Sequence, residues 1–141
     1  MRTARLLAPI IVVIAAAGCG GGAETPTAPT STSIEPTSIL FSGTLQPRAT
    51  RFYSYSVTTG GTVTAMLASL ERGTSPMPNA LELGLGVPAG TGCAVLTTSM
   101  TTTALVPQLR QEVTTGTYCV RISDAEGLPA AMNFTIRVVH P

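Results

Sequence analysis

The sequence predicts an all-β fold, an antiparallel two-sheet β-sandwich of about seven or eight short strands, over residues 39–141. Three observations carry this. Apolar residues there recur at alternate positions, the period of a strand with one face in a core and the other in water. Breaks rich in glycine and proline separate the runs, and no window sustains the apolar stripe of an amphipathic helix. Two cysteines, Cys93 and Cys119, fall on different runs, where a bridge would join strands.

The elements follow in order. Residues 39–44 open the domain as a short strand. Tyr53, Tyr55 and Val57 then alternate with Ser54 and Ser56, and Val63, Ala65 and Leu67 with Thr62, Thr64 and Met66. Between them Gly60-Gly61 reads as a tight hairpin turn, because glycine accepts positive φ. Leu81, Leu83, Leu85 and Val87 alternate with Glu82, Gly84 and Gly86, bounded by breaks at residues 76–79 and 88–92. Residues 93–97 and 109–113 are shorter strand runs, and the threonine-rich stretch 97–103 specifies its register weakly. Tyr118, Val120 and Ile122 alternate with Cys119, Arg121 and Ser123. After a break at 126–129, Phe134, Ile136 and Val138 close the domain. Cys119 is out of phase with Val120, which puts it opposite the main core or under a loop.

Residues 1–18 follow another logic. Arg2 and Arg5 precede a mostly apolar run, residues 6–17, that ends in Ala16-Ala17-Gly18-Cys19. A positive start and a short apolar run are the parts of an export signal. As a helix the run spans about 18 Å, well short of a hydrocarbon core of about 30 Å, so a permanent membrane span is not expected. This layout resembles bacterial lipoprotein signals, with Ala16 where leucine is commonest. The resemblance implies cleavage before Cys19, a diacylglycerol on its sulfur, and a place in the cell envelope. Gly20 stands where some lipoproteins carry the aspartate that retains them at the inner membrane, which leans toward the outer one. An ordinary secretory signal cut after Ala17 is the alternative. Two acyl chains hold stably without a basic patch.

Residues 19–38 then read as a spacer. Pro26, Pro29 and Pro36 lie among threonine, serine and glycine, a composition that cannot bury enough apolar surface to offset its ordering. Fully extended, it reaches at most about 60 Å.

Three cysteines are an awkward number for an exported chain. If Cys19 carries lipid, Cys93 and Cys119, 26 residues apart, are left to pair. A loop of that size is worth about 3–4 kcal/mol on the loop-entropy argument. The chain has eight basic residues, all arginine, against seven acidic ones. Without Arg2 and Arg5 the acidic residues outnumber the arginines by one, so nucleic acid is not an expected partner.

Phe41-Ser42-Gly43-Thr44-Leu45, Arg51-Phe52-Tyr53-Ser54-Tyr55-Ser56-Val57, Gly60-Gly61-Thr62-Val63, Gly116-Thr117-Tyr118-Cys119-Val120-Arg121-Ile122 and Asn133-Phe134-Thr135-Ile136-Arg137-Val138 together resemble bacterial pre-peptidase C-terminal domains. The resemblance covers nearly all of residues 39–141. It implies a small jelly-roll-like sandwich acting as an accessory module for secretion, localisation or binding. No peptidase domain accompanies the motifs here.

Catalytic residues are not expected. The one histidine, His140, is the penultimate residue, where rigid neighbours are scarce, and no Gly-x-Ser-x-Gly elbow occurs. Asp124 and Glu126 are candidate calcium carboxylates, with a solvated acidic turn as the plainer reading. No cofactor or other metal is expected. Phe52 is out of phase with Tyr53 and is the best candidate for an exposed ring; the other five aromatic side chains read as core. The expectation is a monomeric, non-catalytic interaction module held to the membrane through Cys19, with an envelope protein or glycan as partner. A carbohydrate-binding module is the alternative.

Overall fold

The computed structural model describes residues 35–141; the expected export signal, Cys19 and most of the expected spacer lie outside the described residues. Nine strands form: β1 (Thr37–Leu45), β2 (Thr50–Val57), β3 (Gly61–Arg72), β4 (Ser75–Pro76), β5 (Leu81–Ala89), β6 (Gly92–Thr101), β7 (Leu109–Val113), β8 (Gly116–Ser123) and β9 (Met132–His140). They make two antiparallel sheets packed as a sandwich.

The pairing is that of a chain folded once at its middle and then wound. β1 pairs β9, β2 pairs β8, β3 pairs β7 and β5 pairs β6. Winding sets β3 against β9 and β5 against β8. One sheet then runs β1-β9-β3, with β7 and β4 both on β3, and the other runs β2-β8-β5-β6. This is the jelly-roll arrangement, in which two sheets bury one face each.

Alternation selects the buried face. In β9, Met132, Phe134, Ile136, Val138 and His140 all point inward. In β3, Val63, Ala65 and Leu67 do so until a bulge at Ala68 shifts the phase and Leu70 takes the next core position. An extra residue in one strand moves every later side chain to the other face. Aromatic rings close the side where edge strands β1 and β2 face each other. Phe41 stacks on Tyr53 at 5.0 Å between centroids, and Tyr53 meets the edge of Phe134 at 6.2 Å. Phe52 faces outward and is 38% exposed.

Three sequence expectations are corrected. Gly60-Gly61 is not a hairpin turn: β2 and β3 belong to different sheets, and Gly61 lies opposite Val113 of β7. Val87 is not a core position: it lies past Gly86, the last β5 residue paired with β8, and is 37% exposed. The run expected at 93–97 extends to Thr101, and its threonines hold a defined register against β5, with Thr101 opposite Leu81.

The β5 glycines have a packing reason. The start of β6 leans across the outer face of β5. A Cβ on Gly84 would lie 2.8 Å from a Val95 methyl, and one on Gly86 would overlap the Ala94 carbonyl. Overpacking of this kind costs about 1–3 kcal/mol, and more where the obstacle is backbone. We therefore expect Gly86→Ala to lower stability by about 3 kcal/mol in urea unfolding. Gly92→Ala, whose Cβ would come no closer than 3.8 Å to Ala89 O, should stay near wild type.

Candidate functional site

The chemistry-bearing side chains fall into four groups. Cys93 and Cys119 are bonded, with Cα atoms 5.9 Å apart. Cys93 is opposite Pro88 and Cys119 opposite Gly86, so the two cysteines flank β5 from its two sides. Two strand spacings in a flat sheet would by themselves separate them by about 9.6 Å, and the two-residue offset along β5 adds to that. The shorter separation follows from the lean of β6 over Gly86. The disulfide fastens that lean to β8, and Cys119 is fully buried beneath it, on the outer side of its sheet. Neither sulfur is a free nucleophile.

Asp124 is the most connected acidic group. The solvated turn expected there is corrected: Asp124 is 6% exposed. Its Oδ2 accepts hydrogen bonds from the amides of Arg48 at 2.6 Å and Leu128 at 2.6 Å, and Oδ1 accepts from Gly127 at 2.8 Å. Its own amide donates to Ala49 O at 3.0 Å. Arg48 adopts φ 59°, the left-handed region, to present its N–H. Both carboxylate oxygens face N–H donors, whereas calcium takes six to eight oxygens, and Glu126 is exposed beside them. This donor set does not fit calcium. Among the described residues no three His, Cys, Asp or Glu side chains gather in a metal-binding group. Burial acts to raise the Asp124 carboxyl. The amides of Arg48, Leu128, Gly127 and Glu126 outweigh it, so its pKa lies below the ordinary value.

His140 is better held than a terminal residue was expected to be. It is buried, stacks on Tyr55 at 5.8 Å between centroids, and its Nδ1 lies 2.8 Å from the Pro141 carbonyl. Its Nε2 is buried without a hydrogen-bond partner. Burial, and secondarily Tyr118, pushes the Tyr55 hydroxyl above its ordinary pKa, so Tyr55 holds its proton. Histidine and tyrosine here are core packing. On the outer face of the second sheet, Arg121 and Glu82 form an ion pair.

Gln108 was not foreseen as a structural residue. Its side-chain oxygen accepts from the Leu67 amide at 2.7 Å and its side-chain nitrogen donates to Thr102 O. Its amide also donates to Ala65 O at 3.0 Å. It acts as a short stretch of strand along β3, between β7 and β4. A lone glutamine in a loop between strands gives no sequence signal for this.

Two open clefts indent the outer face of the β1-β9-β3 sheet. One, of about 360 Å³, carries the polar side chains of Ser42, Thr44, Ser69, Glu71, Asn133 and Thr135, with Gly43 and Phe134 also in its lining. Part of that polarity is internal: Ser42 bonds Thr135 at 3.0 Å and Thr44 donates to Asn133 Oδ1 at 2.9 Å. The other, of about 330 Å³, mixes apolar side chains with Arg110 and Arg137.

A scan against protein-family models finds no match, and no curated protein matches the chain.

Removing the Asp124 carboxylate strands three amides; a hydrogen bond to a charged acceptor contributes about 1.5–3 kcal/mol net of water, and relief of the carboxylate's own burial offsets part of the sum. We expect Asp124→Ala to cost about 3 kcal/mol at neutral pH. Because its pKa is lowered in the fold, this stabilisation is complete above the unfolded value of about 3.9 and is lost as pH falls through the folded value. Stability measured against pH should therefore fall less steeply in acid for the variant. Cys93→Ser/Cys119→Ser should lower stability by about 3–4 kcal/mol, read from unfolding midpoints.

Proposed function

We propose that the chain is an exported envelope lipoprotein, anchored through Cys19, that displays a non-catalytic jelly roll of the pre-peptidase C-terminal kind as an accessory or interaction module. The observation that carries the non-catalytic part is where polar side chains spend their hydrogen bonds. Asp124, Gln108 and Arg121 with Glu82 join strands and crossings to one another. The tether rests on the N-terminal order of residues: arginines, an apolar run, Ala17-Gly18-Cys19, and a proline- and threonine-rich spacer. The Cys93–Cys119 bond adds to this, since it belongs to an oxidising compartment and leaves Cys19 as the unpaired thiol.

A second reading, a carbohydrate-binding module, is favoured by the hydroxyl-, amide- and carboxylate-lined cleft around Ser69, Glu71 and Asn133. Against it, Phe52 is the exposed ring and lies on the other sheet, and Phe134, in the lining of that cleft, is buried, so the cleft has no exposed aromatic platform.

Intact mass of the protein extracted from membranes tests the first reading. A species that begins at Cys19, carries acyl chains and gains two hydrogens on reduction is expected. A soluble, lipid-free species cut after Ala17 would remove the tether. For the second reading, a glycan at 100 times its dissociation constant adds about 2.7 kcal/mol of stability. No rise in melting temperature across a broad panel would remove it.

A further inference from the structure

The outer face of the first sheet changes character along its strands. Away from the polar cleft, two rows of side chains cross it in register. One is Leu40, Arg137 and Met66; the next is Ser38, Val139, Thr64 and Arg110. The β6–β7 connection runs beside them, pinned by Gln108 and by the Ala104 amide on Leu67 O. That pinning holds Leu105 and Val106 outward, 95% and 66% exposed. Met66, Leu105, Pro107 and Val139 give the cleft an apolar lining, and Arg110 and Arg137 give it charge.

Among the described residues neither arginine has a carboxylate partner; Arg137 donates to Ser38 Oγ at 2.9 Å. One acidic group adjoins the patch: Glu112 follows Arg110 by two residues on the same face of β7, in the next row opposite Thr62. Glu112 is engaged by the Thr62 hydroxyl, and Glu71 lies in the polar cleft. Exposed aliphatic side chains beside unpaired arginines are the makings of a surface that enters a lipid headgroup layer, with guanidinium on phosphate.

We propose that this face docks on an anionic membrane surface, with Leu105 and Val106 entering the headgroup region and Arg110 and Arg137 pairing lipid phosphates. The proposal rests on the tethered reading above. Its occupant is argued from where the chain ahead of residue 35 joins the domain. That chain enters at Thr37-Ser38, and Ser38 is bonded to Arg137, at the border of the patch. Residues 19–36 reach at most about 55 Å when extended. An anchor at Cys19 would keep this face close to the bilayer, at an effective concentration of order millimolar, so weak intrinsic affinity suffices.

The test uses the chain from residue 19 onward, which carries every strand of the sandwich. Cys19, its unpaired thiol, is coupled to a maleimide phospholipid in vesicles of equal parts phosphatidylcholine and phosphatidylglycerol. The sequence has no tryptophan, so Val106→Trp is a single reporter at the loop tip. We expect a blue shift of its emission and quenching by brominated acyl chains. Both should be lost with Leu105→Ser in the same background, and should fall several-fold with Arg110→Gln/Arg137→Gln or in pure phosphatidylcholine. Emission unchanged from the vesicle-free protein overturns the proposal. So does a blue shift without lipid quenching that accompanies dimerisation, since a second copy would then cover the patch. Coupling is chemical, so a negative result bears on the face alone, whereas the mass of the native protein bears on the anchor alone.

Discussion

A jelly roll requires the chain to pass between its two sheets along adjacent paths. Because β1 pairs β9 and β2 pairs β8, the β1–β2 crossing and the β8–β9 crossing run side by side at one end of the sandwich. Asp124 is the group that joins them. Its oxygens take amides from both crossings, and its own amide returns a bond to Ala49. One buried carboxylate thus satisfies donors that no strand ladder can reach, and a buried amide left unpaired costs more than a good bond gains. The alignment of β1 over β2, and with it the stacked Phe41–Tyr53 pair, depends on that end being closed.

At the opposite corner of the second sheet, the disulfide serves the same purpose by covalent means. β6 is an edge strand that leans over β5, and glycines at 84 and 86 leave room for it. Without Cys93–Cys119 the lean would depend on the β5–β6 ladder and on Val95 packing. The two devices divide the work: a hydrogen-bonded carboxylate aligns the crossings, and a covalent link restrains a strand with one free side.

Most strands were legible because their alternation is local. β7 has the bounds that its pattern indicates, and β9 alternates without fault, since each needs only its own residues to define a face. What was not legible depends on partners distant in sequence. The bulge at Ala68 answers to β9, so the phase of Leu70 could not be read from β3 alone, and Val87 is exposed because β8 pairs β5 only as far as Gly86, which the β5 pattern does not show. Gly60-Gly61 has the composition of a hairpin, yet its neighbouring strands were claimed by β7 and β8. Asp124 looked solvated because acidic residues in loops usually are; its burial is set by Arg48, 76 residues away. His140 looked loose for being penultimate, but the winding puts β9 between β1 and β3.

That central place of β9 has a kinetic consequence. Ser42 and Thr135 are neighbours across the sheet although 93 residues separate them. β1 has no partner, and β3 lacks one flank, until the last strand of the chain is present. Pairings of such long range are slow to form. Were the chain exported unfolded, as proposed, a sandwich that cannot close before β9 emerges would stay threadable until then and lock only on the far side.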